Sequence, residues 1–218
     1  MIAAKTEEEI ELLREPCRIV KECLDFVGAN IRAGMTTKEV DDLVYRFIKA
    51  EGAEPSCLGY CGYPASACVS VNEVVVHGIP DDRVILTGDI VSVDLCAYKN
   101  GFHGDGARTF CIGEVSAEKQ KLVRVTKECF FKGIEGLKAG TPLYDIGFKV
   151  QKYAEENGFS VIRSYTGHGI GREMHEDPAV PNYGRKGTGP RLPANAVICV
   201  EPMIAAGGWR VQVLDDGW

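Results

Sequence analysis

Asp94 and Asp105 flank the dipeptide Asn100-Gly101 inside two β-rich runs. Asn-Gly is a strong hairpin signal, because a type I′ turn needs φ > 0 at both central residues. With those two residues at the tip, Lys99 pairs with Phe102, Tyr98 with His103, Cys96 with Asp105 and Asp94 with Ala107. Alternate residues of a strand share a face, as do paired residues, so Asp94 and Asp105 become diagonal neighbours roughly 7–8 Å apart at the backbone. Two carboxylates so placed can converge on one cation, or on two cations about 3.5–4 Å apart. A bulge at Gly104 or Gly106 would break that parity. Three further features supply donors of the same kind. His168 sits within Gly167-His168-Gly169-Ile170-Gly171, Glu201-Pro202 closes the apolar run Ala196–Val200, and the other histidines are His77, His103 and His175. Carboxylates with an imidazole suit Mn²⁺, Fe²⁺, Co²⁺ or Zn²⁺. Without a cation such carboxylates repel, and one takes up a proton. The plainer alternative is a pair of solvated strand aspartates and a few core histidines, but Asp is depleted in strands.

The elements that must carry these residues can be read along the chain. Thr6 with Glu9, and Thr36 with Glu39, have the spacing of capping boxes. Ile10, Leu13, Cys17, Val20, Leu24, Val27 and Ile31 recur at helical spacing, with Pro16 expected to kink or break the helix. Val40, Leu43, Val44, Phe47 and Ile48 form a second stripe, closed by Gly52. Strands are expected at Ala67–Val71, at Val74–His77 after an Asn72-Glu73 turn, in the hairpin, at Phe159–Tyr165 and at Ala196–Val200. A repeat at a constant offset relates Gly34 to Gly140, Lys21-Glu22-Cys23 to Lys127-Glu128-Cys129, and Val40, Val44, Phe47 and Gly52 to Ile146, Val150, Tyr153 and Gly158. Two structural halves, roughly 1–112 and 113–218, follow. The expected class is α+β, with helices packed on a mostly antiparallel sheet.

Composition bounds the function. The sequence is 45% hydrophobic and 26% charged, with a net charge of -6, which argues against a nucleic-acid-binding face. Nine cysteines at irregular spacings include no C-x-x-C pair, so neither a zinc ribbon nor a redox motif is indicated. The first residues lack an apolar h-region, and no apolar run is long enough to span a membrane. A cytoplasmic, monomeric protein is the expectation. The glycine-rich turn around His168 is not followed by a helical pattern, so a phosphate cradle is disfavoured.

Several segments together carry a family resemblance: Cys57-Leu58-Gly59-Tyr60, Asn72 through His77-Gly78-Ile79-Pro80, Asp94 through Gly101-Phe102-His103-Gly104-Asp105, Gly167 through Gly171, and Val200-Glu201-Pro202-Met203. In order and over essentially the whole chain, they resemble the bacterial type I methionine aminopeptidases. The resemblance implies the pita-bread fold as a single catalytic domain, with two pseudo-symmetric halves around two divalent ions (Mn, Fe, Co or Zn). It implies metal ligands at Asp94, Asp105, His168 and Glu201, with Asp105 bridging. It implies non-ligand catalytic histidines at His77 and His175, with Glu201 also moving a proton. A methionine pocket is implied at Cys57, Tyr60, Tyr63, Cys68, Met174 and Trp218. Its substrates would be peptides and nascent chains with an N-terminal methionine and a small second residue, with ribosome association and no membrane or nucleic-acid partner. His103 matches no ligand of the family and reads as structural.

Two departures stand out. Position 61 is cysteine where many relatives have histidine, and the sequence ends at Trp218 without the family's further strand and second bridging glutamate. The expectation is that one ion is held weakly, that turnover is low or absent, and that a sheet edge is unpaired. An Xaa-Pro aminopeptidase-like hydrolase and a non-catalytic binding module on the same fold are the alternatives.

Overall fold

The computed structural model describes residues 2–218. They form two compact units. One comprises Glu11–Ala117, Gly171–Met174 and Val213–Trp218; the other comprises Met1–Ile10, Glu118–Ile170 and His175–Gln212.

The first unit holds helix α1 (Glu7–Asn30) from Glu11 onward, followed by α2 (Thr37–Ala50). Both capping boxes form: the Glu9 N–H donates to Thr6 Oγ1 and the Glu39 N–H to Thr36 Oγ1, while each glutamate carboxylate accepts from the threonine backbone. Gly52 ends α2 at φ 65°. Contrary to expectation, Pro16 does not break α1. Its missing N–H leaves the Leu12 carbonyl on an exposed turn, where water can serve it, while Pro16 itself is buried. Strands β1 (Glu54–Pro55), β2 (Ala67–Val71), β3 (Ile90–Lys99) and β4 (Phe102–Cys111) form one antiparallel sheet, in which β3 pairs with β1, β2 and β4. One face of it, with Ala67, Val69, Val71, Val91, Val93, Leu95 and Ala97, packs on Ile19, Val20, Cys23, Leu24 and Val27 of α1 and on Val40, Val44 and Ile48 of α2. Val74–His77 is not a strand: Asn72 and His77 both have positive φ, so the chain turns away and returns at Gly78, whose carbonyl accepts from the Val69 N–H at 2.8 Å.

The second unit holds α3 (Ala117–Ile134), α4 (Tyr144–Glu156) and four short strands, β5 (Ser160–Val161), β6 (Gly167–Gly169), β7 (Glu176–Val180) and β8 (Ile204–Ala205). Here β5 pairs with β8 and β6 with β7, both antiparallel. The strand expected at Phe159–Tyr165 shrinks to two residues. That at Ala196–Val200 reduces to a single bridge between Ile198 and Gly169, because the segment is bracketed by Asn195 at φ 60° and by Pro202 and borrows only two hydrogen bonds, Ile170 N–H to Val197 O and Cys199 N–H to His168 O.

The repeat recurs inside each unit as the same backbone bonds. Ala53 N–H donates to Ile48 O at 3.1 Å, and Phe159 N–H to Ala154 O at 3.0 Å. Gly34 (φ 92°) donates to Ile85 O, and Gly140 (φ 85°) to Leu192 O. Buried Cys23 and Cys129 occupy equivalent positions, and burial raises each thiol pKa to about 12.

Candidate functional site

The hairpin has the register read from Asn100-Gly101: Asp94 pairs with Ala107 and Cys96 with Asp105, without a bulge. Asn100 (φ 55°) and Gly101 (φ 84°) form the tip. Asp94 and Asp105 therefore share the sheet face opposite the helices. Cys68, the β2 partner of Asp94, is on that face too. The backbone around Asp105 is fixed from behind. A Cβ on Gly104 would lie 2.5 Å from the Pro16 carbonyl carbon, and one on Gly106 would lie 2.9 Å from Val20 Cγ1. Glycine at both places lets α1 press directly on β4, so Asp105 stands on backbone clamped on its other side.

Beside these aspartates lies an apolar cluster of Cys57, Tyr63, Ala65, Cys68, Cys96 and Met174, with Ile79 and Trp218 packed on it. The Tyr63 and Trp218 rings meet edge to face at 4.9 Å. The Tyr63 hydroxyl donates to the Gly78 carbonyl at 2.9 Å and also lies 3.2 Å from Ala67 O. That bond ties down the loop bearing His77, whose ring stands 5.8 Å from that of Trp218. Burial lowers the His77 pKa, favouring the neutral imidazole, and raises that of the Cys68 thiol. Five of the six residues expected to line a pocket are thus packed together. Tyr60 is not among them: it lies in a short 3-10 turn (Tyr60–Gly62), is 40% exposed and precedes Cys61 at φ 48°. Cys96 joins the cluster without having been expected there, its thiol pKa raised by the neighbouring Cys57 thiol and by burial. The signal was present, since Cys96 is two residues from Asp94 and so on the same face.

In the second unit His168 lies between two glycines with no room for a side chain. A Cβ on Gly167 would meet Cys199 O at 2.2 Å, and one on Gly169 would meet Asp177 O at 2.1 Å. His168 is buried, with Nδ1 2.8 Å from the Gly169 carbonyl and Nε2 3.2 Å from Glu201 Oε1. The His175 ring stands edge-on to it at 4.3 Å. Glu201 is held by its backbone, whose carbonyl accepts from Asn182 Nδ2 at 2.6 Å. Asn182, wholly buried, was not foreseen as a support; a lone Asn after Pro181 carries no sequence signal. His103 is placed structurally, with Nδ1 2.8 Å from Ser56 Oγ.

This donor chemistry fits a divalent cation. A carbonyl can only accept, so His168 Nδ1 carries the proton and Nε2 presents a lone pair. A lone pair 3.2 Å from a carboxylate oxygen is repulsive unless a proton or a cation satisfies both. An imidazole oriented by a carbonyl through its other nitrogen is also the usual arrangement of a metal-binding histidine.

Comparison with known proteins follows this geometry. Residues 11–217 match the model of metallopeptidase family M24. The chain is 50% identical over 218 residues to a methionine aminopeptidase of Clostridium perfringens, spanning 100% of this chain and 88% of that protein. It is 46% identical, with the same coverage, to methionine aminopeptidase 1 of Bacillus subtilis. A methionine aminopeptidase of Rickettsia prowazekii superposes with a TM-score of 0.98 at 41% identity, covering 100% of this chain and 88% of that one. An X-Pro aminopeptidase of Thermotoga maritima superposes at 0.78 with 29% identity, covering 93% of this chain and 55% of that one.

Proposed function

The chain belongs to metallopeptidase family M24, and from that premise we propose that it is a bacterial type I methionine aminopeptidase of pita-bread fold. It removes the N-terminal methionine from peptides and nascent chains with a small second residue. The observation that carries this reading is the buried sulfur and aromatic cluster of Cys57, Tyr63, Cys68, Met174 and Trp218 beside the aspartate-bearing sheet face. Soft, polarisable and aromatic walls suit a thioether side chain. The Xaa-Pro alternative is not favoured: that similarity is weaker in both identity and superposition. Nor is a non-catalytic module, because four ligand-type residues are present at Asp94, Asp105, His168 and Glu201.

Asp94, Asp105, His168 and Glu201 would hold two divalent ions, Mn, Fe, Co or Zn, with Asp105 shared between them. When bound, such ions acidify water and polarise the scissile carbonyl. The residues do the remainder. Glu201 takes the proton from the attacking water and returns it to the leaving amine. His175 donates a hydrogen bond to the developing oxyanion, and His77, kept neutral by burial, contacts the scissile amide. The pocket walls seat the methionine, with Tyr60 at the rim. No helix among the described residues is long and apolar enough to cross a membrane. We read the protein as a monomeric single catalytic domain acting in the cytoplasm on nascent chains at the ribosome.

The experiment is release of methionine from Met-Ala-Ser by the metal-free chain after addition of Mn²⁺ or Co²⁺, beside a chelated control and an Xaa-Pro peptide. Metal-dependent release from Met-Ala-Ser alone supports the reading. Cleavage of the Xaa-Pro peptide instead, or release unaffected by chelator, overturns it.

A further inference from the structure

We propose that His103 is a positioning residue that ties together two walls of the apolar pocket, through its side chain to Ser56 and through its backbone to Gly171. The inference rests on the methionine-specific reading above for its kinetic expectation, but its geometry stands alone. His103 Nδ1 lies 2.8 Å from Ser56 Oγ, and Ser56 directly precedes Cys57 of the pocket. The His103 N–H donates to the Gly171 carbonyl at 2.8 Å, which begins the segment ending in Met174. Arg172 of that segment places its guanidinium 4.7 Å over the ring of Phe102, the neighbour of His103. Ser56 is also tied to the sheet, its N–H donating to Cys96 O at 2.9 Å. Cys57 and Met174 are far apart in sequence and meet in one cluster. The start of β4 fastens the segment carrying each of them.

A half-buried histidine that donates to or accepts from a serine and supports a loop through its own backbone N–H is more than core filling. Its ring is packed against Tyr98 at 4.7 Å, so its direction toward Ser56 is fixed. An asparagine at this position can place a polar atom near that of Nδ1; a glutamine places its amide nearer Nε2.

The test compares wild type, His103→Ala, His103→Asn, His103→Gln, Ser56→Ala and the double variant Ser56→Ala/His103→Ala, all with the same metal. Two readouts are taken: steady-state kinetics on Met-Ala-Ser, and amide hydrogen exchange of residues 56–58 and 171–174. For His103→Ala, KM should rise about tenfold while kcat changes less than about threefold, the pattern of lost uniform binding. Exchange should quicken in both segments. Ser56→Ala should reproduce the 56–58 part, the double variant should be no worse than His103→Ala, and Asn but not Gln should restore KM and protection. Additive effects of Ser56→Ala and His103→Ala, or a fall in kcat with unchanged KM and unchanged exchange, would overturn the proposal. A wild type that releases no methionine is a failure of turnover in this chain and not of the positioning role, which the exchange data alone then decide.

Discussion

His168 Nε2 lies 3.2 Å from Glu201 Oε1, while the opposite ring nitrogen is committed to the Gly169 carbonyl at 2.8 Å. The contact joins the middle of the short strand β6 to an irregular segment that β6 itself orders. His168 therefore has one ring nitrogen committed to a backbone carbonyl and the other directed at the Glu201 carboxylate.

Glu201→Gln keeps the shape and removes both the charge and the proton acceptor. Metal-loaded turnover of Met-Ala-Ser should fall by about 10²- to 10⁴-fold, the usual worth of a positioned general acid–base group. Circular dichroism should remain that of the wild type. A variant retaining more than a tenth of wild-type kcat would remove Glu201 from the proton-transfer role.

Gly104→Ala tests the clamp behind Asp105. The added methyl meets backbone atoms of Pro16 and Cys17 at 2.5–2.7 Å, which cannot move as a side chain can. Overpacking of this kind costs typically about 1–3 kcal/mol, here at the upper end or beyond. Gly207→Ala, with nothing within 4 Å, should change stability by less than about 0.5 kcal/mol. Urea midpoints measured side by side give the comparison; equal midpoints would mean that α1 does not press on β4 as described.

Tyr63→Phe removes the hydroxyl that holds the Gly78 carbonyl. A hydrogen bond of this kind contributes about 1 kcal/mol net, so a loss of that size is expected in denaturant titration. Because the freed loop carries His77, kcat should fall further than stability alone explains. Unchanged kinetics in the folded variant would show that His77 is held by other contacts.

The His77 pKa is lowered by burial, so the unfolded chain binds the proton more readily than the folded one. Its contribution to stability is present above the unfolded histidine pKa of about 6.5, and is lost as pH falls from there toward the lower folded value. In the metal-free protein, wild type should lose more stability than His77→Asn between pH 7.5 and 5 on this account, conditions chosen to bracket about 6.5. Melting temperatures at a series of pH values measure the difference; parallel curves for the two proteins would show that folding leaves the His77 pKa unchanged.

Local signals determined the hairpin completely. Asn100-Gly101 fixed the register, and the register fixed which face Asp94 and Asp105 share. Both capping boxes and the repeated helix–glycine–helix units were equally legible, since each depends on residues within one or two turns of one another. The expectations that failed are those in which distant chain decides the backbone. Pro16 stays helical in a helix pressed against Gly104, Val74–His77 is drawn out of strand geometry toward Tyr63 and Ser70, and Ala196–Val200 is ordered mainly by its bonds to the His168 segment.

The same division holds for the chemistry. Residue types alone pointed to carboxylate and imidazole donors, and motif order pointed to the family. Which atoms of those residues are available was decided only by tertiary packing. The Gly169 carbonyl fixes the His168 tautomer, Asn182 holds the Glu201 backbone, and the pairing of β2 with β3 sets Cys68 beside Asp94. A sequence records side-chain identity at every position. It does not record which polar atom a distant carbonyl will claim, because that depends on backbone segments brought together only when the core closes.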